Sequence, residues 1–228
     1  EISNNLGDYQ VSIMSSTGGS SVNRVELNNV TIVADQNTPG LLSGIRVEGA
    51  ITNTLDIHNS IIGEFPSGGI YTDGEENLTI DYSNIAGGQS SVVINAENLT
   101  YENNIDENPQ FVNQDDGDYR ILASSLCVNA GHPDSTDADG TRADIGAYPY
   151  LTDNTEPVWY INTAGNDTTG TGTSVNPFAS IQAGINFAND TDSVTVAAGT
   201  YVENINFRGR NIKVVGEDRE TTIIDGDS

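Results

Sequence analysis

The chain has 228 residues, 33 of them acidic and 8 basic, for a formal charge of −25. Such a surface repels nucleic acid and anionic membranes; it suits a solvated extracellular protein or one that meets cations, and solubility alone also accounts for it. The single cysteine, Cys127, excludes an intrachain disulfide, and no run of about 18 apolar residues exists to span a membrane.

Four copies of one phrase organise the first half. They occupy residues 25–32, 55–62, 78–85 and 99–106, with starts 30, 23 and 21 residues apart. In the second copy Leu55, Ile57 and Asn59 share a face while Asp56 and His58 point to water. A strand-and-turn unit of this length cannot bury its own apolar face and must stack on a copy of itself. A second short strand follows each copy, at Ile45-Arg46-Val47, Ile70-Tyr71-Thr72 and Val92-Val93-Ile94. An earlier repeat is visible at residues 2–6, followed by a strand at 9–13. Like stacked on like predicts an all-β parallel solenoid over 1–106. Asn4, Asn29, Asn59 and Asn103 recur at one position of the repeat, and Tyr82 breaks the series. Stacked amides there predict a hydrogen-bonded ladder; the bland account is that asparagine suits a turn.

From Glu107 the pattern changes. Asn108-Pro109-Gln110-Phe111-Val112 and Gly117-Asp118-Tyr119-Arg120-Ile121 precede Ser125-Leu126-Cys127-Val128-Asn129-Ala130-Gly131, and the stretch ends in Asp137-Ala138-Asp139-Gly140-Thr141-Arg142-Ala143-Asp144-Ile145-Gly146-Ala147-Tyr148. This resembles the C-terminal closing module of the bacterial secreted right-handed parallel β-helix superfamily, the pectate-lyase-like β-helices. Leu126 stands where that pattern has proline and Asn129 where it has aspartate. A polar linker, 151–157, leads to Trp159-Tyr160-Ile161-Asn162 and then Asn176-Pro177-Phe178. That tripeptide is expected to open a helix, with Asn176 as N-cap, Pro177 in the first turn, and Phe178, Ile181, Ile185 and Ala188 on the apolar face. Strands are expected at 193–197, 201–207, 212–215 and 222–224. The N-P-F-x-S-I-Q segment and the later V-A-A-G-T-Y-V-E-N-I resemble the N-terminal cap and first rungs of the same superfamily. The resemblance implies a right-handed parallel β-helix with one short capping α-helix, secreted and bacterial in type.

The order of the two modules is reversed: the closing half (107–150) precedes the opening half (158–228). Each half then presents a bare strand edge, one at Ile2, Asn4 and Leu6 and the other at Thr222, Ile223 and Ile224. Seven or eight rungs at about 4.8 Å span roughly 35 Å, beyond the reach of about 25 Å for seven extended linker residues. Pairing with a neighbouring copy needs no such reach and propagates head to tail into a filament. The competing expectation is a window on a longer protein with tandem β-helix domains. The chain opens at Glu1 and carries no signal peptide, so it is expected to be processed or cut from something longer.

Lyases of this superfamily use a Lys or Arg base, often with Ca²⁺. Here Lys213 is the only lysine, and Arg24 and Arg46 lie on the repeats, where solvated arginines are the commoner case. Asp73, Glu75 and Glu76 cluster at a turn. His132 reads as a loop residue and lies far from His58 in sequence; Cys127 reads as a small buried hydrophobe. No catalytic or cofactor-binding residue is assigned. Asp134, Asp137, Asp139 and Asp144 surround a D-x-D-G turn and are candidate Ca²⁺ ligands; a cluster of Asx turns is the alternative. The expectation is therefore a non-catalytic surface fibre, adhesin stalk or matrix component that polymerises with itself. The runner-up is a polysaccharide-binding or polysaccharide-lyase domain of a larger secreted protein, with Trp159 as a sugar platform or a core cap.

Overall fold

A computed structural model describes residues 9–14, 24–34, 43–48, 54–72, 77–94 and 98–226. The repeats supply eleven strands: β1 (Tyr9–Met14), β2 (Arg24–Asn28), β3 (Thr31–Ile32), β4 (Ser43–Glu48), β5 (Thr54–His58), β6 (Ile61–Ile62), β7 (Ile70–Thr72), β8 (Asn77–Asp81), β9 (Asn84–Ile85), β10 (Val92–Ile94) and β11 (Asn98–Glu102). They form three parallel sheets, ordered β1-β4-β7-β10, β2-β5-β8-β11 and β3-β6-β9, so each strand pairs with its counterpart in the next repeat. The register is set by the apolar pattern: Val25, Leu55, Leu78 and Leu99 form one column, and Leu27, Ile57, Ile80 and Tyr101 the next. Leu55, Ile57, Leu78 and Ile80 are at most 1 % exposed, and burial of each contributes about 1.5–3 kcal/mol. Val25, Leu27, Leu99 and Tyr101, on the outermost strands, are only half-buried.

The asparagine series has a backbone cause. Asn29, Asn59, Tyr82 and Asn103 all have φ between 45° and 57°, the left-handed region that asparagine enters more readily than most residues. Asn29 and Asn59 do not bond each other; Asn59 Nδ2 instead donates to Asn28 Oδ1, one position off the series, at 3.2 Å. Asn29 Nδ2 donates to the Asp144 and Gly146 carbonyls, and Asn59 Oδ1 accepts from His132 N–H; Asn4 lies outside the described residues. The ladder runs one residue later. Ser60 Oγ accepts from Val30 N–H, Ser83 Oγ from Ser60 N–H, and Asn104 Oδ1 from Ser83 N–H, at 2.9–3.2 Å.

Segment 107–150 contributes an antiparallel hairpin, β12 (Phe111–Asn113) and β13 (Asp118–Ile121), and a long irregular stretch. Rather than closing the end of the stack, it runs along its side. Asn84 Nδ2 donates to Glu107 O and meets Cys127 Sγ, Gly146 N–H donates to Asn59 O, and Ala147 N–H donates to Thr31 Oγ1. Residues 107–147 thus contact three successive repeats. Neighbouring strand positions explain this: Ile62 points into the stack core, while Ile61 points out and is buried by Ile121, Cys127 and Ile145.

The last segment forms β14 (Val158–Ile161), α1 (Ile181–Phe187), β15 (Ser193–Val196), β16 (Gly199–Val202), β17 (Lys213–Gly216) and β18 (Thr222–Asp225), in parallel sheets β14-β15-β17 and β16-β18. The helix starts later than the proline suggests. Ser180 is its N-cap, accepting from Ala183 N–H, while Phe178 stays extended and bridges to Ile161. Gly165 makes that possible, because a Cβ there would sit 2.3 Å from Phe178 O. All seven helix residues are buried, so α1 is covered on the side away from its own strands too. One core joins Cys127, Val128, Ile145 and Tyr150 of 107–150 to Trp159, Phe178, Ile185 and Phe187. Trp159, 3 % exposed, stacks on Phe178 and Phe187 with ring centroids 6.2 and 5.4 Å apart, a core position rather than a platform. No helix among the described residues is long and apolar enough to cross a membrane.

Thr72 Oγ1 is buried with no hydrogen-bond partner among the described residues. Thr72→Val keeps the shape and removes the unsatisfied hydroxyl, so it is expected to stabilise the protein by about 1 kcal/mol, raising Tm by about 2–4 °C in thermal unfolding.

Candidate functional site

The D-x-D-G…R-x-D-I-G segment is a brace. Asp137 Oδ2 accepts from Asp144 N–H at 2.8 Å. Asp139 Oδ1 accepts from Thr141 N–H and Oγ1–H, and its Oδ2 from Thr152 N–H. Asp144, 1 % exposed, accepts from Asn129 N–H and Tyr150 N–H, both at 2.6 Å. Arg142 donates to the Gly131 and Ala130 carbonyls and lies over the Tyr82 ring. Gly146, at φ +115°, fits where a Cβ would meet Ile61 Cδ1 at 2.7 Å. These residues do not fit a Ca²⁺ site. The oxygens of Asp139 and Asp144 hold backbone or hydroxyl donors, and Asp134 is exposed at the rim with its N–H on His132 Nδ1. No group of three or more His, Cys, Asp or Glu side chains among the described residues could hold a metal ion. Burial raises the Asp144 carboxyl to about 7 against the pull of its two N–H donors, and raises Asp137 too, with Asp139 adding to both.

A second polar group locks this segment to α1. Asn186, fully buried, donates to Ala123 O and Ser125 O and accepts from Gln182 Nε2 and Arg208. Arg208 also donates to Val128 O, and Asn129 Nδ2 donates to Asn186 O. Burial lowers Arg208 to about 10, with Arg210 and Arg142 adding to the effect. Arg210 caps the end of α1, donating to the carbonyls of Ile185, Asn186 and Ala188. At the other end Glu203 accepts from Ile181 and Gln182 N–H and Asp167 from Ala179 and Ser180 N–H, placing carboxylates where the free N–H groups and the dipole favour them. Asn186, Glu203 and Arg208 carry no sequence signal of a role, although Glu203 is the E of V-A-A-G-T-Y-V-E-N-I.

The remaining candidates are dispersed. Arg24 Nε donates to Asp56 at 2.8 Å, Arg46 lies over the Tyr71 ring, and His58 Nδ1 sits 2.5 Å from Asp81 Oδ1. His132 meets the Tyr82 ring edge-on. The Cys127 thiol is raised to about 11 by burial, so it carries negligible thiolate at neutral pH and packs as a hydrophobe. Asp73, Glu75 and Glu76 lie outside the described residues. A cleft of about 350 Å³ flanks β6, lined by apolar Ile61, Ile62 and Phe111 and by the carboxylates of Glu64, Asp106 and Glu107 among others.

Two unpaired edges stand out. β17 and β18 each have one partner strand among the described residues. Val215, Ile223 and Ile224 on these strands are 46–49 % exposed, and Val202 of β16 and Phe207 of the loop after it are exposed too. In the repeat sheets β1, β2 and β3 are terminal on one side, and β10, β11 and β9 on the other, among the described residues; Ile2, Asn4 and Leu6 lie outside them. Comparison with protein-family models, curated proteins and solved structures finds no match to this chain.

Proposed function

We propose that this chain is part of a right-handed parallel β-helix of the secreted bacterial type, and that it serves as a non-catalytic structural element outside the cell. Its unpaired edges are completed by further copies, head to tail. The observation that carries this reading is the β17–β18 edge, where three aliphatic side chains, Val215, Ile223 and Ile224, are exposed beside unpaired backbone. Exposed edges of this kind template pairing with another chain. The two ends differ, so the contact is heterologous and extends unless it closes a ring. Multi-angle light scattering across the micromolar range is expected to show mass rising with concentration, and electron microscopy to show fibres. A constant monomer mass at every concentration would falsify the reading.

The cleft beside β6 supports a second reading, carbohydrate binding on the flank. Glu64, Asp106 and Glu107 would repel uronates, so a neutral polysaccharide is the class expected there. A polysaccharide panel read by calorimetry decides it: heat with neutral glycans supports binding, and silence across the panel removes it.

A further inference from the structure

We propose that the β17–β18 edge receives β2 and β3 of a second copy, in one register. The inference rests on the assembly reading above and names its interface. The argument is the spacing of inward-facing residues. In the last segment Val194 and Val196 of β15 point inward, and the next inward residue, Tyr201 of β16, follows five positions after Val196. In the repeats Leu27 points inward, and Ile32 of β3, buried in the same core, follows at the same five positions. A layer built as β2–β3 therefore has the shape of the layer that β17 and β18 already accept on their paired side.

That paired side also sets the register. Val194 faces Val214, Val196 faces Gly216, and Tyr201 faces Ile224. The extra residues between Gly216 and Thr222 are taken up by a turn in which Thr221 and Thr222 N–H donate to Asp218 O. Continuing the columns, Val25 of the second copy lies against Val214, Leu27 against Gly216, and Ile32 against Ile224. The half-buried Val25 and Leu27 are then sealed like their counterparts Leu55 and Ile57. A one-residue slip would turn these residues to solvent, so only even shifts compete. Outside, Glu26 of the second copy faces Val215, and Arg24 faces Lys213. That like-charged pair opposes the contact.

The test uses the full chain with cysteine pairs at exposed positions, the native Cys127 being buried. Glu26→Cys combined with Val215→Cys is expected to give a ladder of dimers, trimers and larger species on a non-reducing gel after mild oxidation. Lys213→Glu, without cysteines, is expected to lower the concentration for half-assembly roughly two- to fivefold by removing the like-charge pair. A shift by two residues would put Lys213 opposite Glu26. Lys213→Glu would then raise that concentration and Glu26→Cys/Lys213→Cys would ladder instead, overturning the register. A Ser3→Cys/Val215→Cys ladder, or light-scattering oligomers with no Glu26–Val215 ladder, would each overturn the pairing and leave assembly standing; a cross-link confined to monomers would show the edge closed by its own chain and overturn both. Monomer alone at every concentration overturns assembly as well.

Discussion

Asn186→Leu is expected to destabilise the protein by about 3–5 kcal/mol and to lower Tm by about 10 °C. Leucine keeps the branching of asparagine but is larger, so the loss comes from stranded polar groups and some overpacking rather than from a cavity. The substitution strips the Ala123 and Ser125 carbonyls of their donor in a fully buried setting and removes an acceptor from Gln182 and Arg208. A buried polar group left without its partner costs about 1–3 kcal/mol, and these four belong to one network, so their costs combine without adding simply. The exposed Thr200→Ala is the control and should stay within about 0.5 kcal/mol. Calorimetry measures both. A shift no larger for Asn186→Leu than for Thr200→Ala would show that the apolar core, not this network, holds α1 to the 107–150 segment. Limited proteolysis adds a local readout, with cleavage in 151–157 expected to accelerate in the Asn186 variant.

Stability is expected to fall as pH rises from about 4 to about 7, and Asp144 is the largest single cause. Its folded pKa is raised to about 7, above an unfolded value of about 3.9. The folded state therefore holds the proton more tightly. The stabilisation is complete below the unfolded value and lost as pH rises through the folded one, a change on the order of 2–4 kcal/mol. Asp137 and Glu203, also raised by burial, act with the same sign, as does the growing self-repulsion of a chain that reaches −25. Asp144→Asn separates the contributions. Its amide cannot titrate, so wild-type stability minus variant stability should be most positive near pH 4 and fall by about the same 2–4 kcal/mol toward pH 7.5. Denaturant melts at four or five pH values measure this, and a gap that does not change with pH would remove Asp144 from the account.

Local chemistry shows plainly in the sequence where a residue has one strong requirement. The strand repeats were legible because apolar alternation with a period of two leaves one register that buries Leu55, Ile57, Leu78 and Ile80 together. The turn asparagines were legible as a series, but their purpose was not. A left-handed turn and an amide ladder favour the same residue, and only backbone angles separate them. The helix start was misplaced for a similar reason. Asn-Pro-Phe carries start signals, yet Phe178 is more strongly claimed by the core beside Trp159, and Ser180 takes over the cap. The aspartates of 134–144 suit Ca²⁺ and Asx turns equally well as a string of letters. They become a brace because the N–H groups of Asn129, Tyr150 and Thr152 arrive from residues outside the motif.

What the amino-acid order determined by itself is the stacking of repeats in 25–106, since it rests on a pattern within short windows. Only the tertiary structure decided how the modules meet: 107–150 lies along β3-β6-β9 and α1 is buried against it. That outcome turns on Ile61, Asn84, Asn186 and Arg208, which must be paired across 22 to 84 residues of chain. A linear pattern shows which residues need partners, whereas long-range packing selects the partner that satisfies them.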